Sequence, residues 1–183
     1  EADQVPLSAT EMLLVAYALT KLEQKHTFCL VLPKLREVVL RHVDTLTANE
    51  LSKLAWMLPQ ASAHNDPLLP EIARLSAERG MEKRHLVQIA VALSQALTLN
   101  ATTSCNPSED GGARQLIEGP LRSLLESTLP VTPADTSKDP FVTYRNSDVY
   151  VLASVLLHSP ASVDLVQFYP RLAALAVSKS LDP

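Results

Sequence analysis

Apolar side chains recur along this chain in steps of three and four residues, and they do so four times in the same frame. Residues 7–19, 46–58, 81–93 and 144–156 align without gaps. One column holds Met12, Leu51, Leu86 and Val149; the next holds Val15, Leu54, Ile89 and Leu152; a further one holds Leu19, Leu58, Leu93 and Leu156. Between the last two stands alanine in every copy: Ala16, Ala55, Ala90 and Ala153. The spacing i, i+3, i+4, i+7 is one stripe of an amphipathic helix, and the alanine leaves room for a neighbouring helix to come close. Ser8 with Glu11, and Thr47 with Glu50, precede the stripe in matching columns. Each pair predicts a capping box that satisfies two orphan amides at a helix start. Asn146 or Ser147 is the expected cap of the fourth copy.

A second helix follows each first one, and a proline marks each: Pro33, Pro70, Pro120 and Pro170. Proline is tolerated in a first turn, where its missing N–H has no intrahelical partner, and that placement is the favoured reading. The open alternative puts the apolar residues from Cys29 to Leu32 in the same helix, with Pro33 kinking it. Residues 98–112, polar and rich in Gly, Ser and Asn, read as a loop inserted into the third pair; residues 130–140 read as a linker before the fourth. Without these the period is about 37 residues, the mark of stacked helical hairpins. The expected architecture is therefore all-α, one domain over residues 1–183: an α-solenoid of four antiparallel helix hairpins at about 7–44, 46–80, 81–129 and 144–179, stacked in a right-handed superhelix of the ARM/HEAT/TPR kind. The first and last hairpins are apolar nearly all round. The array is thus expected to continue beyond this stretch or to have its ends covered by a partner, unless flanking residues such as 1–6 cover them.

Composition agrees with helices. The chain holds 32 leucines and 21 alanines, only 4 glycines, and 4% aromatic residues. Glycine is too scarce for a phosphate-cradling loop, and neither G-x-G-x-x-G nor G-x-x-x-x-G-K-[ST] occurs. The net charge of −4 argues against gripping a nucleic-acid backbone by bulk charge. The longest apolar run, residues 12–19, is too short to span a bilayer, so no membrane partner is expected.

Little in the sequence is reactive. Cys29 and Cys105 share no metal-binding motif, and the histidines 26, 42, 64, 85 and 158 form no i, i+4 pair that would hold a metal. Cys29, inside an apolar run, reads as a core residue, and Cys105 as a free thiol in a polar loop, which favours a reducing compartment. Glu109 and Asp110 read as solvated loop residues, and the sequon at Asn100 as a coincidence of three residues. No G-x-S-x-G is present. No metal, cofactor, small-molecule substrate or enzymatic activity is expected.

What remains is the outward face of the first helices. Its columns are Thr10, Asn49, Arg84 and Ser147; then Glu11, Glu50, His85 and Asp148; then Leu14, Lys53, Gln88 and Val151. Asn49, Lys53, Arg84, His85 and Gln88 carry the chemistry suited to reading a partner or RNA, with His85 placed on an exposed helix start. Lys83, Arg84 and His85 with Lys53 form the one local basic spot. Trp56, beside Tyr17, Val91 and Ser154, reads as packing between hairpins, or else as a stacking platform for a base.

Residues 46–58, followed by 66–72, resemble the helical-hairpin repeats of organellar RNA-metabolism proteins. These are the octotricopeptide and heptatricopeptide types, including those beside RAP domains and the diverged repeats of kinetoplastid mitochondrial proteins. Residues 7–19 fit the same pattern. The resemblance implies a protein of the mitochondrial matrix, a non-enzymatic scaffold subunit of an RNA-processing or RNA-editing ribonucleoprotein complex. Its partners would be other protein subunits and single-stranded RNA. The acidic balance favours scaffold over direct reader. A direct single-stranded RNA-binding repeat protein, and an ARM/HEAT-like adaptor unrelated to RNA, remain the alternatives.

Overall fold

The computed structural model describes residues 7–103, 111–129, 144–159 and 165–180. Among these the chain is all helical, with eight α-helices: α1 (Ala9–Lys21), α2 (Lys25–His42), α3 (Ala48–Gln60), α4 (Leu68–Glu78), α5 (Lys83–Thr103), α6 (Gly111–Thr128), α7 (Asn146–His158) and α8 (Tyr169–Ser180). Each odd-numbered helix packs on the even one that follows it. The odd helices also pack in order, α1 on α3, α3 on α5 and α5 on α7, while α4 packs on α6. Their apolar faces form one continuous core running from Met12 to Leu175.

The helix starts follow from their caps. Ser8 Oγ accepts the N–H of Glu11 at 3.3 Å while Glu11 returns a bond to the Ser8 N–H at 2.8 Å; Thr47 and Glu50 repeat both distances. At α7 the cap residue is Arg145, whose N–H donates to Asp148 at 2.9 Å, so neither Asn146 nor Ser147 caps it. The ends of α1 and α3 also match. Glu23 (φ 55°) and Ser62 (φ 64°) both adopt the left-handed conformation without being glycine, and each lets the next N–H reach back to a carbonyl in the last turn.

Three expectations are corrected. Pro33 and Pro120 lie inside α2 and α6, not in first turns. The carbonyl that each proline leaves without a donor belongs to Cys29 and Leu116, both exposed, so water can take the place of the missing N–H. For the same reason Cys29 is no core residue: α2 turns Phe28, Leu32 and Leu35 inward, and Cys29 falls one position off that stripe. The expected inserted loop 98–112 shrinks at both ends, because α5 runs on through Thr103 and α6 begins at Gly111. Glu109, Asp110 and Cys105 lie outside the described residues.

Two arginine contacts tie the first pair of helices to the second. Arg36 of α2 forms a two-pronged ion pair with the buried Asp66, whose Oδ1 also accepts the Leu68 N–H at 2.9 Å. Arg79, just past α4, donates to the carbonyls of Val43 at 2.7 Å and Leu46 at 3.2 Å.

Candidate partner-binding face

The odd helices meet through matching or neighbouring positions. Thr10 Oγ1 donates to Glu50 Oε1 at 2.9 Å, joining α1 to α3. The Tyr17 and Trp56 rings sit 6.1 Å apart at 47°, and Gln60 Nε2 donates to Gln95 Oε1 at 3.4 Å, joining α3 to α5. Asn49, Lys53, Arg84 and Gln88 are therefore brought onto one exposed face across α3 and α5.

His85 is not part of that face. It is buried between α5 and α3, with Nδ1 3.1 Å from Ser52 Oγ. Burial, reinforced by the neighbouring Arg84 charge and opposed by Glu82, holds its pKa below the usual histidine value, so the ring is neutral near pH 7. A serine beside a histidine resembles a nucleophile and its base. Ser52 is fully enclosed, however, and its hydroxyl also lies 3.1 Å from the Asn49 carbonyl, which makes the pair a joint between helices.

The basic spot is weaker than the sequence implies. Arg84 Nε is paired with Glu82 at 2.8 Å. Lys83 donates to the carbonyl of Ser127, and burial lowers its pKa. Both line a 440 Å³ cleft at the start of α5 and α7, which they share with Arg145 and Asp148.

Positive charge gathers instead around the aromatic pair. Lys21 Nζ lies 4.8 Å from the centre of the Trp56 ring and 5.5 Å from that of Tyr17; Lys53 Nζ lies 5.9 Å from Tyr17. Trp56 is half-buried, so packing between helix pairs accounts for most of the ring. Beside it opens a 340 Å³ cleft lined by Lys21, Lys25 and Gln60. A larger cleft of 740 Å³ shares Lys25 and Gln60 and crosses α3, α5 and α7 over Val91, Val151 and Val155. His64 also lines it. Its Nδ1 is buried without a hydrogen bond, and desolvation lowers its pKa. Sequence reading missed Lys21, Lys25 and His64. Lys21 stands one turn beyond Tyr17 on α1, a legible signal; Lys25 opens α2, outside the aligned first-helix columns, and His64 enters from the connector between α3 and α4.

Among the described residues, no three His, Cys, Asp or Glu side chains are grouped to hold a metal, and no helix is long and apolar enough to cross a membrane. Asn100 is buried and both its amide atoms lack a partner, so the folded chain does not present this sequon for glycosylation. Comparison with protein-family models, with curated proteins and with solved structures finds no match.

Proposed function

We propose that this protein is a non-enzymatic α-solenoid scaffold, a subunit that holds protein partners, and through them RNA, within an organellar ribonucleoprotein complex. The observation that carries the solenoid reading is the ordered contact of α1 with α3, α3 with α5 and α5 with α7, made through residues of columns at most two positions apart. Such an arrangement spreads equivalent side chains over one long face, and long faces of this kind bind through shape and a few anchors. The organellar setting, and the mitochondrial matrix in particular, rests on the resemblance of residues 46–58 and 66–72 to octotricopeptide and heptatricopeptide repeats.

Direct contact with single-stranded RNA is the second reading. The half-buried Trp56 under Lys21 favours it, together with the exposed Asn49, Lys53, Arg84 and Gln88 on the same side. An aromatic surface with cations beside it suits a base and its phosphate.

The test measures RNA binding over a salt series alongside affinity capture from organellar extract. A scaffold retains protein partners at salt concentrations where RNA binding is negligible. A reader binds RNA with a steep inverse dependence on salt, and Lys53→Glu with Arg84→Glu lowers that affinity by at least about tenfold. Equal RNA affinity of the double variant and the parent removes direct reading; capture of no RNA-handling protein removes the scaffold.

A further inference from the structure

The aligned helices allow the same position to be compared in four settings, and the comparison shows which way each position faces. Val15 is 41% exposed on α1, whereas Leu54, Ile89 and Leu152 in its column are each 0% exposed. Leu22 is 68% exposed, against 1% for Ala61 and 0% for Ala96. Ala18 is likewise exposed while Met57, Ala92 and Val155 are buried. In the fourth copy the column of Leu22 holds Ser159, whose hydroxyl meets Ser94 of the preceding odd helix at 3.4 Å. At the other end the pattern inverts. Tyr150 of α7 is 77% exposed, against 6%, 1% and 2% for Leu13, Ser52 and Val87; Leu157 is 71% exposed, against 5% for Ser94. In these columns Ser52 meets His85 and Ser94 meets Ser159, each on the following odd helix or at its end.

The two open faces are therefore the two halves of one joint, the joint that already occurs between α1 and α3 and between α3 and α5. Its polar register is also in place. In the α1–α3 joint Thr10 donates to Glu50 Oε1 while Glu50 Oε2 serves the Thr47 cap. Ser147 occupies the column of Thr10 and Glu11 that of Glu50, both exposed, and Glu11 makes the same cap through Oε2.

We infer that these faces bind each other in different molecules. α7 of one copy docks on α1 of a second copy, Tyr150 and Leu157 cover Val15 and Leu22, and Ser147 donates to Glu11. The interface is heterologous, so each copy keeps one free half of each kind and association continues head to tail. The inference rests on the stacked-repeat reading of the fold and goes beyond scaffold function.

Sedimentation of the full chain from micromolar to millimolar concentration tests it, with Val15→Glu blocking one face and Leu157→Glu blocking the other. Both substitutions fall on exposed side chains, and Tyr150→Glu is a second block of the α7 face. The parent chain is expected to grow with concentration beyond its 19.9 kDa monomer. Each variant alone stays monomeric. An equimolar mixture of the Val15→Glu and Leu157→Glu chains forms a dimer and nothing larger, since only one complementary pair of faces survives. A parent chain that remains monomeric throughout, or variants that fail to complement each other, overturns the inference. The monomeric variants retain the α3–α5 face, so their capture of partners reports on the proposed function independently of assembly.

Discussion

The Ser52–His85 joint offers the sharpest test of how the helix pairs are held in register. The two side chains meet at 3.1 Å where α3 packs on α5, and both are buried. Ser52→Ala leaves His85 Nδ1 enclosed without a partner, a loss of about 1–3 kcal/mol. For a chain of this length that lowers Tm by roughly 2–12 °C. His85→Leu costs less, about 0.5–1.5 kcal/mol, because the Ser52 hydroxyl keeps the Asn49 carbonyl at 3.1 Å. Removing both polar groups leaves nothing unsatisfied, so the double variant should be more stable than the sum of the single losses implies, with a coupling of about 1 kcal/mol. Acid adds an independent signature. The folded pKa of His85 is depressed, so the unfolded chain takes up the proton first. The resulting stability is complete above the unfolded pKa of about 6.5 and declines as pH falls through it, by at most about 1.4 kcal/mol per pH unit, levelling off below the folded value. His64, also depressed by burial, contributes a slope of the same sign. His85→Leu should therefore reduce the loss of stability between about pH 7.5 and about pH 5.5 without abolishing it. Urea unfolding followed by circular dichroism measures all of this. A Ser52→Ala protein as stable as the parent, or a His85→Leu protein with the full acid slope, refutes the joint.

Packing and capping give two further expectations. Ala90 is fully enclosed on α5, the helix that touches α3, α4, α6 and α7. Ala90→Phe should cost about 1–3 kcal/mol by overpacking, and Ala153→Phe, in the same column but half-buried on α7, should cost less; equal melting temperatures would sink the shared-column argument. Thr47→Ala removes the side-chain half of the α3 capping box and should cost about 1 kcal/mol in denaturant unfolding, while an unchanged midpoint would mean that the 3.3 Å bond from the Glu50 N–H adds nothing.

Much of the helical layout is legible in the sequence because it depends on periodicity, and periodicity is a property of neighbours in the chain. The stripe through Leu54, Ala55 and Leu58 marks a buried face, and Thr47 with Glu50 marks where that helix starts. The misreadings have a common origin in treating polarity as exposure and proline as a boundary. His85 is polar but buried, because a hydroxyl on a residue 33 positions earlier receives it. Pro33 is tolerated within α2 because that side of the helix faces solvent, a fact that exists only once α2 has docked. The candidate face was half legible. Its first-helix residues follow the columns, whereas Lys25, at the start of α2, and His64, between α3 and α4, reach the clefts just after the left-handed turns at Glu23 and Ser62.

The apolar stripe also explains why the joints need polar contacts. Val15, Leu54, Ile89 and Leu152 are close in size and chemistry, and burial of apolar area is not directional. On that term alone any odd helix would stack acceptably on any other. The hydrogen bonds differ from joint to joint: Thr10 with Glu50, Ser52 with His85, and Ser94 with Ser159 at 3.4 Å between α5 and the end of α7. Pairing α1 directly with α5 would set Thr10 against His85 and take from Ser52 and Glu50 their partners across the joint, leaving Ser52 its Asn49 carbonyl and Glu50 its Thr47 cap. A mispaired stack thus buries the same apolar surface but forgoes the hydrogen bonds between helices, about 0.5–1.5 kcal/mol for each. The stripe supplies the affinity between helices, and the non-repeating polar pairs decide their order.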